Sequence, residues 1–222
     1  MADTVSKENP VRTRRDEEKE MRRQDILDAA ERVIAKHGWE NSDFGKIAER
    51  ARLSRSLVYV YFPTRDDLFH AVCSRGLADL QRRFATVMAT RTTGLELSMA
   101  IGRAYYAFSR EQPLYFELIS QYQAKENKPD EQSDNEGEAN QLGGDCLGLL
   151  VQAITIGLKD GSIAKSVGDP RPAAVSMWAF THGLIQIASR KECMLQESFQ
   201  LNTEQMMEHG FTLMRRTLAV KE

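Results

Sequence analysis

Between residues 26 and 37, hydrophobic side chains recur at the spacing of an α-helix. Gaps of four, three, one and three residues separate Ile26, Ala30, Val33, Ile34 and His37. These positions share one face of a helix. Gly38 follows at once, and glycine ends helices because it adopts the left-handed conformation without a steric cost. The pattern therefore predicts an amphipathic helix that ends near residue 37.

Two shorter helices are predicted after this glycine. Ser42 or Asp43 can cap the first of them, whose apolar stripe comprises Phe44, Ile47, Ala48 and Ala51. Ser54 caps the second, and Pro63 ends it because the residue before a proline is pushed out of helical geometry. Neither short helix can bury a core alone. With the first helix as a platform, they predict a three-helix helix-turn-helix domain over residues 21–68, with the motif at about 43–62.

The residues of this region closely resemble a known family. They are Ile26-Leu27-Asp28-Ala29-Ala30, Ile47-Ala48-Glu49-Arg50-Ala51, Ser54, Val58-Tyr59-Val60-Tyr61-Phe62-Pro63 and Asp67-Leu68. Together they resemble the N-terminal domain of TetR-type (TetR/AcrR) transcriptional regulators. The resemblance includes polar surface positions as well as the core pattern. It implies an all-α protein with a helix-turn-helix DNA-binding domain followed by a helical ligand-binding and dimerisation domain.

The resemblance also implies which residues meet DNA. Arg55, Ser56 and Leu57 open the third helix and would face base edges, and arginine can bond the O6 and N7 of guanine together. Tyr59, Tyr61, Lys46 and Arg65 would contact phosphates. The full set of expected contacts is Ser42, Phe44, Lys46, Arg52, Ser54, Arg55, Ser56, Leu57, Tyr59, Tyr61 and Arg65.

Two positions depart from the family pattern, and they affect the turn. Members commonly carry glycine between the two short helices, where this chain has Arg52, and threonine before them, where it has Ser42-Asp43. Arg52 must either adopt a positive φ or lie in a different turn. The alternative for all of the expected DNA contacts is a purely structural role. Surface arginines are then only solvated, and two tyrosines spaced by two residues are a core residue and its neighbour.

Charge and composition restrict where DNA can bind. The chain has 222 residues, 41% of them hydrophobic, with a formal net charge of −2 and a pI near 6.1. A nearly neutral protein is poorly suited to coating nucleic acid, so DNA binding is expected on one small basic surface. That surface combines Lys46, Arg50, Arg52, Arg55 and Arg65 with one acid, Glu49. The polar start and the lack of apolar runs of about 20 residues predict a cytoplasmic protein without signal peptide or membrane helix.

The N-terminal arm, residues 1–20, is predicted to be flexible, with its first ten residues disordered, because it has almost no apolar side chain to pack. Arg12, Arg14 and Arg15 could reach a minor groove, although the acids that follow them favour a solvated tail. Residues 127–140 are likewise predicted to form a mobile acidic loop.

The remaining chain, residues 69–222, is predicted to form a helical effector-binding and dimerisation domain. A long helix from Thr64 towards Thr90 would connect it to the DNA-binding domain. Further helices are predicted at about 95–112, 113–126, 142–159, 170–190 and 203–220. The helix from Pro170 is apolar almost all round, and the last carries a seam of Met207, Phe211, Met214 and Leu218.

The helices at 170–190 and 203–220 are expected to form a four-helix bundle with a second copy, as TetR-type proteins do. In the alternative, both stripes close the core of one chain. A homodimer would present two recognition helices to a palindromic operator of double-stranded DNA.

A pocket for a small-molecule effector is expected among the helices of the second domain. Its candidate residues mix large apolar surface with a few polar tips: Tyr105, Phe108, Phe116, Ile119, Tyr122, Met177, Trp178 and His182. Such a lining suits a mainly hydrophobic or aromatic ligand held by one or two hydrogen bonds. The alternative is that the aromatic residues are core and that His182, beside Gly183, packs in a subunit interface.

The leading hypothesis is a dimeric repressor that such a ligand releases from DNA. An alternative regulator would respond to oxidation of Cys73, Cys146 or Cys193, or to a protein partner. The cysteines lack metal-ligand spacing, and no cofactor or metal is predicted. An enzyme that uses His182 is disfavoured, since the chain has no glycine-rich phosphate loop or nucleophile elbow.

Overall fold

The computed structural model describes residues 10–122 and 133–220, and this part of the chain is helical. Its α-helices are α1 (Pro10–His37), α2 (Phe44–Ala51), α3 (Arg55–Tyr61), α4 (Arg65–Met88), α5 (Gly94–Glu111), α6 (Pro113–Gln121), α7 (Asp134–Asp160), α8 (Pro170–Arg190), α9 (Glu192–Phe199) and α10 (Thr203–Leu218). The prediction of an all-α protein is confirmed.

Two hydrophobic cores divide the fold, and α4 crosses both. The first core joins α1, α2, α3 and the start of α4, where Leu68 and Val72 are fully buried. The second core holds α5, α7, α8 and α10 around the later part of α4, from which Leu80 and Phe84 project. Leu118 of α6 packs into the first core, so α6 also bridges the two. A displacement of α4 or α6 is therefore felt in both cores.

The expected flexible arm is wrong from residue 10 onward, because α1 begins at Pro10. Proline is tolerated in the first turn of a helix. Strong helix formers follow it, and Arg14 pairs with Glu18 at 3.2 Å across one turn. Because α1 is packed against the first core further along the chain, its charged first turns can remain helical without core contacts of their own. Residues 1–9 lie outside the described part of the chain.

The expected acidic loop is also wrong for residues 134–140, which form the first turns of α7. The Ser133 hydroxyl accepts a hydrogen bond from the Glu136 backbone N–H, and acids in the first turn complement the helix dipole. Residues 127–132 lie outside the described part, as do 123–126 at the predicted end of α6.

α7 meets the length and composition of a membrane-spanning helix, contrary to the sequence expectation. Cys146, Leu150, Ala153 and Ile154 of this helix are buried in the second core, against α4, α5 and α8. Only 28% of its apolar stretch is buried within the chain, so packing inside one chain accounts for only part of its composition.

The seam on α10 packs inside the chain, which corrects its expected role as a subunit contact. Met207, Phe211, Met214 and Leu218 are buried in the second core. On α8 and α10, the large apolar side chains that remain exposed are Val175, Trp178, Phe180, Ile187 and Leu213.

Candidate nucleic-acid interface and effector cavity

The helix-turn-helix is built by its caps and its turn. The Asp43 carboxylate caps α2 by accepting hydrogen bonds from the backbone N–H groups of Gly45 and Lys46, at 2.7 and 2.9 Å. The bond from Lys46 is the main cause that holds the pKa of Asp43 below its usual range. Arg52 then takes the left-handed conformation, with φ 57°. The turn thus keeps the backbone shape that glycine normally supplies.

The α3 helix presents a polar face to solvent. Ser54 caps it, accepting a hydrogen bond from the Leu57 backbone N–H at 3.2 Å. Arg55 and Ser56 are exposed, and the Arg55 guanidinium lies over the Tyr59 ring and 3.3 Å from its hydroxyl. Tyr59 in turn rests edge-on against Phe44, with ring centroids 4.7 Å apart. Arg55 is therefore supported by the first core while its remaining N–H groups face outward.

Lys46 and Arg65 are exposed cations held by the turn between α1 and α2. The Lys46 ammonium donates to the Asn41 carbonyl at 2.7 Å. The Arg65 guanidinium donates to the Trp39 carbonyl at 2.8 Å and lies over the Trp39 ring at 4.7 Å. Both cations are thus held at the surface by the backbone of the α1–α2 turn.

Two of the residues expected to contact DNA have buried side chains. Ser42 is buried, and its hydroxyl donates to the Gly38 carbonyl at 2.7 Å, so it closes the α1–α2 turn. Phe44 is buried in the first core and supports Tyr59. Tyr61 is half-buried against the same core. Val60, one turn after Ser56 on α3, is 74% exposed.

A cavity of about 790 Å³ lies in the second domain, between α4, α5, α6, α7 and α8. Six predicted pocket residues line it: Tyr105, Ile119, Tyr122, Met177, Trp178 and His182. Two do not. Phe108 is fully buried beneath the Arg83 guanidinium, and Phe116 packs behind the lining, 5.4 Å from the His182 ring.

The cavity is apolar and holds two polar pairs. Tyr105 Oη lies 2.9 Å from His182 Nδ1, and the Tyr122 hydroxyl donates to the Asn140 side-chain oxygen at 2.5 Å. Burial raises the pKa of Tyr105 to about 12, so this phenol keeps its proton. Among the described residues of the lining there is no Asp, Glu, Lys or Arg. A charged group placed inside would therefore have no counter-ion.

Acidification should destabilise the fold through His182. Burial first, and then the charge of Arg190, lowers the pKa of His182 below its usual 6.5. The unfolded chain then takes up this proton before the folded chain does. Stability contributed at neutral pH is therefore lost as pH falls below 6.5. Thermal unfolding is measured at about pH 7.5 and about pH 5.5, and the unfolding midpoint should fall less on acidification in His182→Gln than in the wild type. An equal fall in both proteins would mean that His182 does not cause the acid sensitivity.

Thiol labelling of the native protein should be confined to Cys193. Burial raises the pKa of Cys73 and of Cys146 to about 12, whereas Cys193 is exposed on α9. Mass spectrometry after brief iodoacetamide treatment should find Cys193 modified and Cys73 and Cys146 intact, with Cys193→Ser unlabelled. Rapid labelling of Cys73 would mean that the core around α4 opens readily, whereas labelling of Cys146, which also lines the cavity, would mean that the reagent enters the cavity.

Two helices of the cavity wall, α4 and α6, are also hydrogen-bonded to α1. Leu77 of α4 and Ile119 of α6 line the cavity, and both helices continue into the first core. Arg75 ties α4 to α1 by hydrogen bonds to Asp28 and Glu31, each 2.7 Å, and by a further bond to the Gln24 side chain. The Tyr115 hydroxyl of α6 donates to Glu31 at 2.8 Å.

Comparisons with known proteins agree with this architecture. Residues 26–72 match the family of bacterial regulatory proteins, tetR family, and residues 98–213 match the tetracyclin repressor-like C-terminal domain. The fatty acid metabolism regulator protein of Bacillus subtilis is 22% identical over 143 residues, covering 64% of this chain and 71% of that protein. A nicotine-responsive HTH-type transcriptional repressor of Paenarthrobacter nicotinovorans is 37% identical over 67 residues, 30% of this chain and 34% of that protein.

Solved structures share the fold. A protein of unknown function from Rhodococcus sp. RHA1 superposes with a TM-score of 0.71 and 18% identity, over 99% of this chain and 100% of the other. The regulator FadR of Bacillus subtilis, in complex with stearoyl-CoA, superposes with a TM-score of 0.65 and 16% identity, over 87% of this chain and 98% of the other. The two family matches together span most of the chain and include both cores. The chain therefore belongs to the TetR family of DNA-binding transcriptional regulators.

Proposed function

We propose that this protein is a homodimeric repressor that leaves a palindromic operator when a small, mainly apolar ligand occupies the cavity. The observation that carries the proposal is the position of the cavity. Its wall includes α4 and α6, the two helices of the second domain that also pack in the first core. A ligand that favours one arrangement of these helices shifts the recognition helix, provided that it binds the two states unequally.

The uncharged lining narrows the ligand class. The buried part of the ligand is expected to be neutral, because an unpaired carboxylate or ammonium inside would lose its hydration without compensation. The Tyr105–His182 and Tyr122–Asn140 pairs can each meet one polar atom of the ligand. A long acyl thioester meets these requirements if its charged carrier stays outside. The stearoyl-CoA bound to FadR of Bacillus subtilis is a molecule of this kind.

The ligand class is tested on an operator selected from random DNA. Fluorescence anisotropy would follow the protein–DNA complex during titration with octadecanoyl-CoA, octadecanoate and nicotine. The thioester is expected to release the DNA at a lower concentration than the free acid, whose carboxylate would find no Lys or Arg among the described residues of the lining. Release by nicotine alone would replace the acyl class with an aromatic amine. No release by any ligand or by cell extract would leave a regulator under other control, such as the exposed Cys193 or a protein partner.

The exposed face of α8 is the proposed subunit contact. Phe180 and Ile187 are exposed at 41% and 45%, and clustered apolar surface of this kind marks interaction sites. The double variant Phe180→Glu with Ile187→Glu is expected to sediment as a monomer at micromolar concentration and to lose most operator affinity. Met194→Glu with Phe199→Glu, on exposed positions of α9, is the matched control and should remain dimeric. A wild-type monomer would remove the dimer from the proposal.

A further inference from the structure

The middle of α7 contains glycines that packing within the chain does not explain. Glycine destabilises a helix interior relative to alanine, so each one calls for a reason. At Gly157 the reason is close packing, since a Cβ there would lie 2.6 Å from the Ile163 side chain. At Gly143, Gly144 and Gly148 a Cβ would meet no atom within 4 Å.

Two of these three glycines line the cavity, and a glycine of α8 lines the same cavity. Gly143 and Gly144 belong to the wall, as does Gly183, where an added Cβ would again meet nothing within 4 Å. Gly102 of α5 also lines the cavity, but there the reason for glycine is close packing, since a Cβ would lie 3.1 Å from the Phe211 ring. The wall between α7 and α8 is thus bare backbone at three places where the fold has room for side chains.

The position of these glycines connects the cavity to solvent. Gly144 is exposed although it lines the cavity, and Gly143 and Gly183 are half-buried. Their neighbours along α8, Val175 and Trp178, line the cavity and are also exposed. Residues of both α7 and α8 therefore line the cavity and also reach solvent.

We propose that Gly143, Gly144 and Gly183 form a glycine slot, the opening through which the apolar chain of the ligand enters. Their missing side chains set the width of what can pass, and an unbranched aliphatic chain is the occupant that fits a narrow opening into an uncharged interior. The inference rests on the proposed function and adds an entry route and a size limit. A polar or charged carrier attached to the chain would remain outside Gly144.

The test compares leucine at slot positions with leucine elsewhere on the same helix. Gly144→Leu and Gly183→Leu should narrow the slot, whereas Gly148→Leu adds the same side chain at a position outside the lining. The probes are hexadecanoyl-CoA, measured by calorimetry, and the neutral dye Nile red, measured by fluorescence. Both slot variants are expected to bind hexadecanoyl-CoA about tenfold more weakly, and Gly148→Leu within about twofold of wild type. Gly144→Ala should fall between.

Folding of the variants is checked independently. Leucine favours a helix interior over glycine, so the thermal unfolding midpoint of each α7 variant should be at or above that of the wild type. Operator affinity without ligand should be unchanged in Gly144→Leu, because α7 is remote from α3. Gly183 lies between Phe180 and Ile187 on α8, so Gly183→Leu must also sediment as the wild type does. A slot variant that keeps its unfolding midpoint and its operator affinity but loses probe binding supports the slot.

Other outcomes overturn the slot in distinguishable ways. If Gly144→Leu and Gly183→Leu bind both probes as the wild type does, the slot is wrong and the proposed function stands. If Gly148→Leu loses binding equally and sediments as a monomer, the glycines serve contact with a second copy. If the wild type takes up neither probe, no open slot exists. If the wild type binds the probes but does not release DNA, the proposed function fails. The comparison of the slot variants with Gly148→Leu then still shows whether ligands enter through the slot.

Discussion

Arg55→Ala is expected to weaken operator binding by about tenfold to a hundredfold, since one bidentate contact to guanine contributes roughly 1–3 kcal/mol of discrimination. Arg55 is the first residue of α3, and the N-terminal part of a recognition helix is the part that reaches base edges. Its guanidinium is already oriented by the Tyr59 ring and hydroxyl. The loss of affinity should occur at both half-sites, because each protomer of a dimer presents its own Arg55.

The matched control is Arg91→Ala. It removes the same charge from an exposed position beyond the end of α4, on the side away from the first core. Its operator affinity should stay within about twofold of wild type, because surface charges at a distance are screened by salt. Arg55→Lys should keep the salt dependence and lose sequence discrimination. Tyr59→Phe should show a smaller loss than Arg55→Ala, and equal affinities for Arg55→Ala and Arg91→Ala would mean that another surface reads the DNA.

Arg75→Met is expected to lower the free energy of unfolding by about 2 kcal/mol, because it leaves partly buried carboxylates without their cation. The side chains of Arg75 and Glu31 are 23% and 20% exposed, so these charges are only partly screened. The same substitution removes the tie between α4 and α1, and the ligand should then release DNA less completely.

Arg82→Met serves as its control on the same helix. Arg82 is paired with Asp79 at 3.1 Å but is 77% exposed, and such surface pairs contribute about 0–1 kcal/mol. Chemical denaturation followed by circular dichroism measures both changes. Tyr115→Phe should retain most of the stability and reduce the response to ligand, since it removes one bond between α6 and α1. Equal destabilisation by Arg75→Met and Arg82→Met would show that the α1–α4 ion pairs are not structural.

Local signals in the sequence predicted the helix-turn-helix well. Gly38, Ser54 and Pro63 delimit helices because their own backbone and side-chain chemistry decides the geometry. The choice at Arg52 was left open, and φ 57° resolves it. By contrast, Ser42 and Phe44 were assigned to DNA because a motif says which positions are near the groove but not which of them fold inward.

The second domain was less predictable because its contacts are distant in the chain. The apolar seam of α10 could serve a dimer or a core equally well by periodicity, and only the packing against α5 and α8 decides for the core. The start of α7 was missed because its first turns are polar and glycine-containing, although Ser133 provides a cap. The cavity lining was partly predicted, whereas the empty space beside Gly143 and Gly144 has no sequence signature.

Selection of bound duplexes from a random pool by the wild-type protein should yield an inverted repeat whose half-site centres lie about one helical turn apart, roughly 34–36 Å, or a multiple of it. Arg55→Ala should bind this repeat about tenfold to a hundredfold more weakly. Recovery of no preferred sequence, or of a motif that Arg55→Ala binds equally well, would rule out a dimer that reads DNA through Arg55.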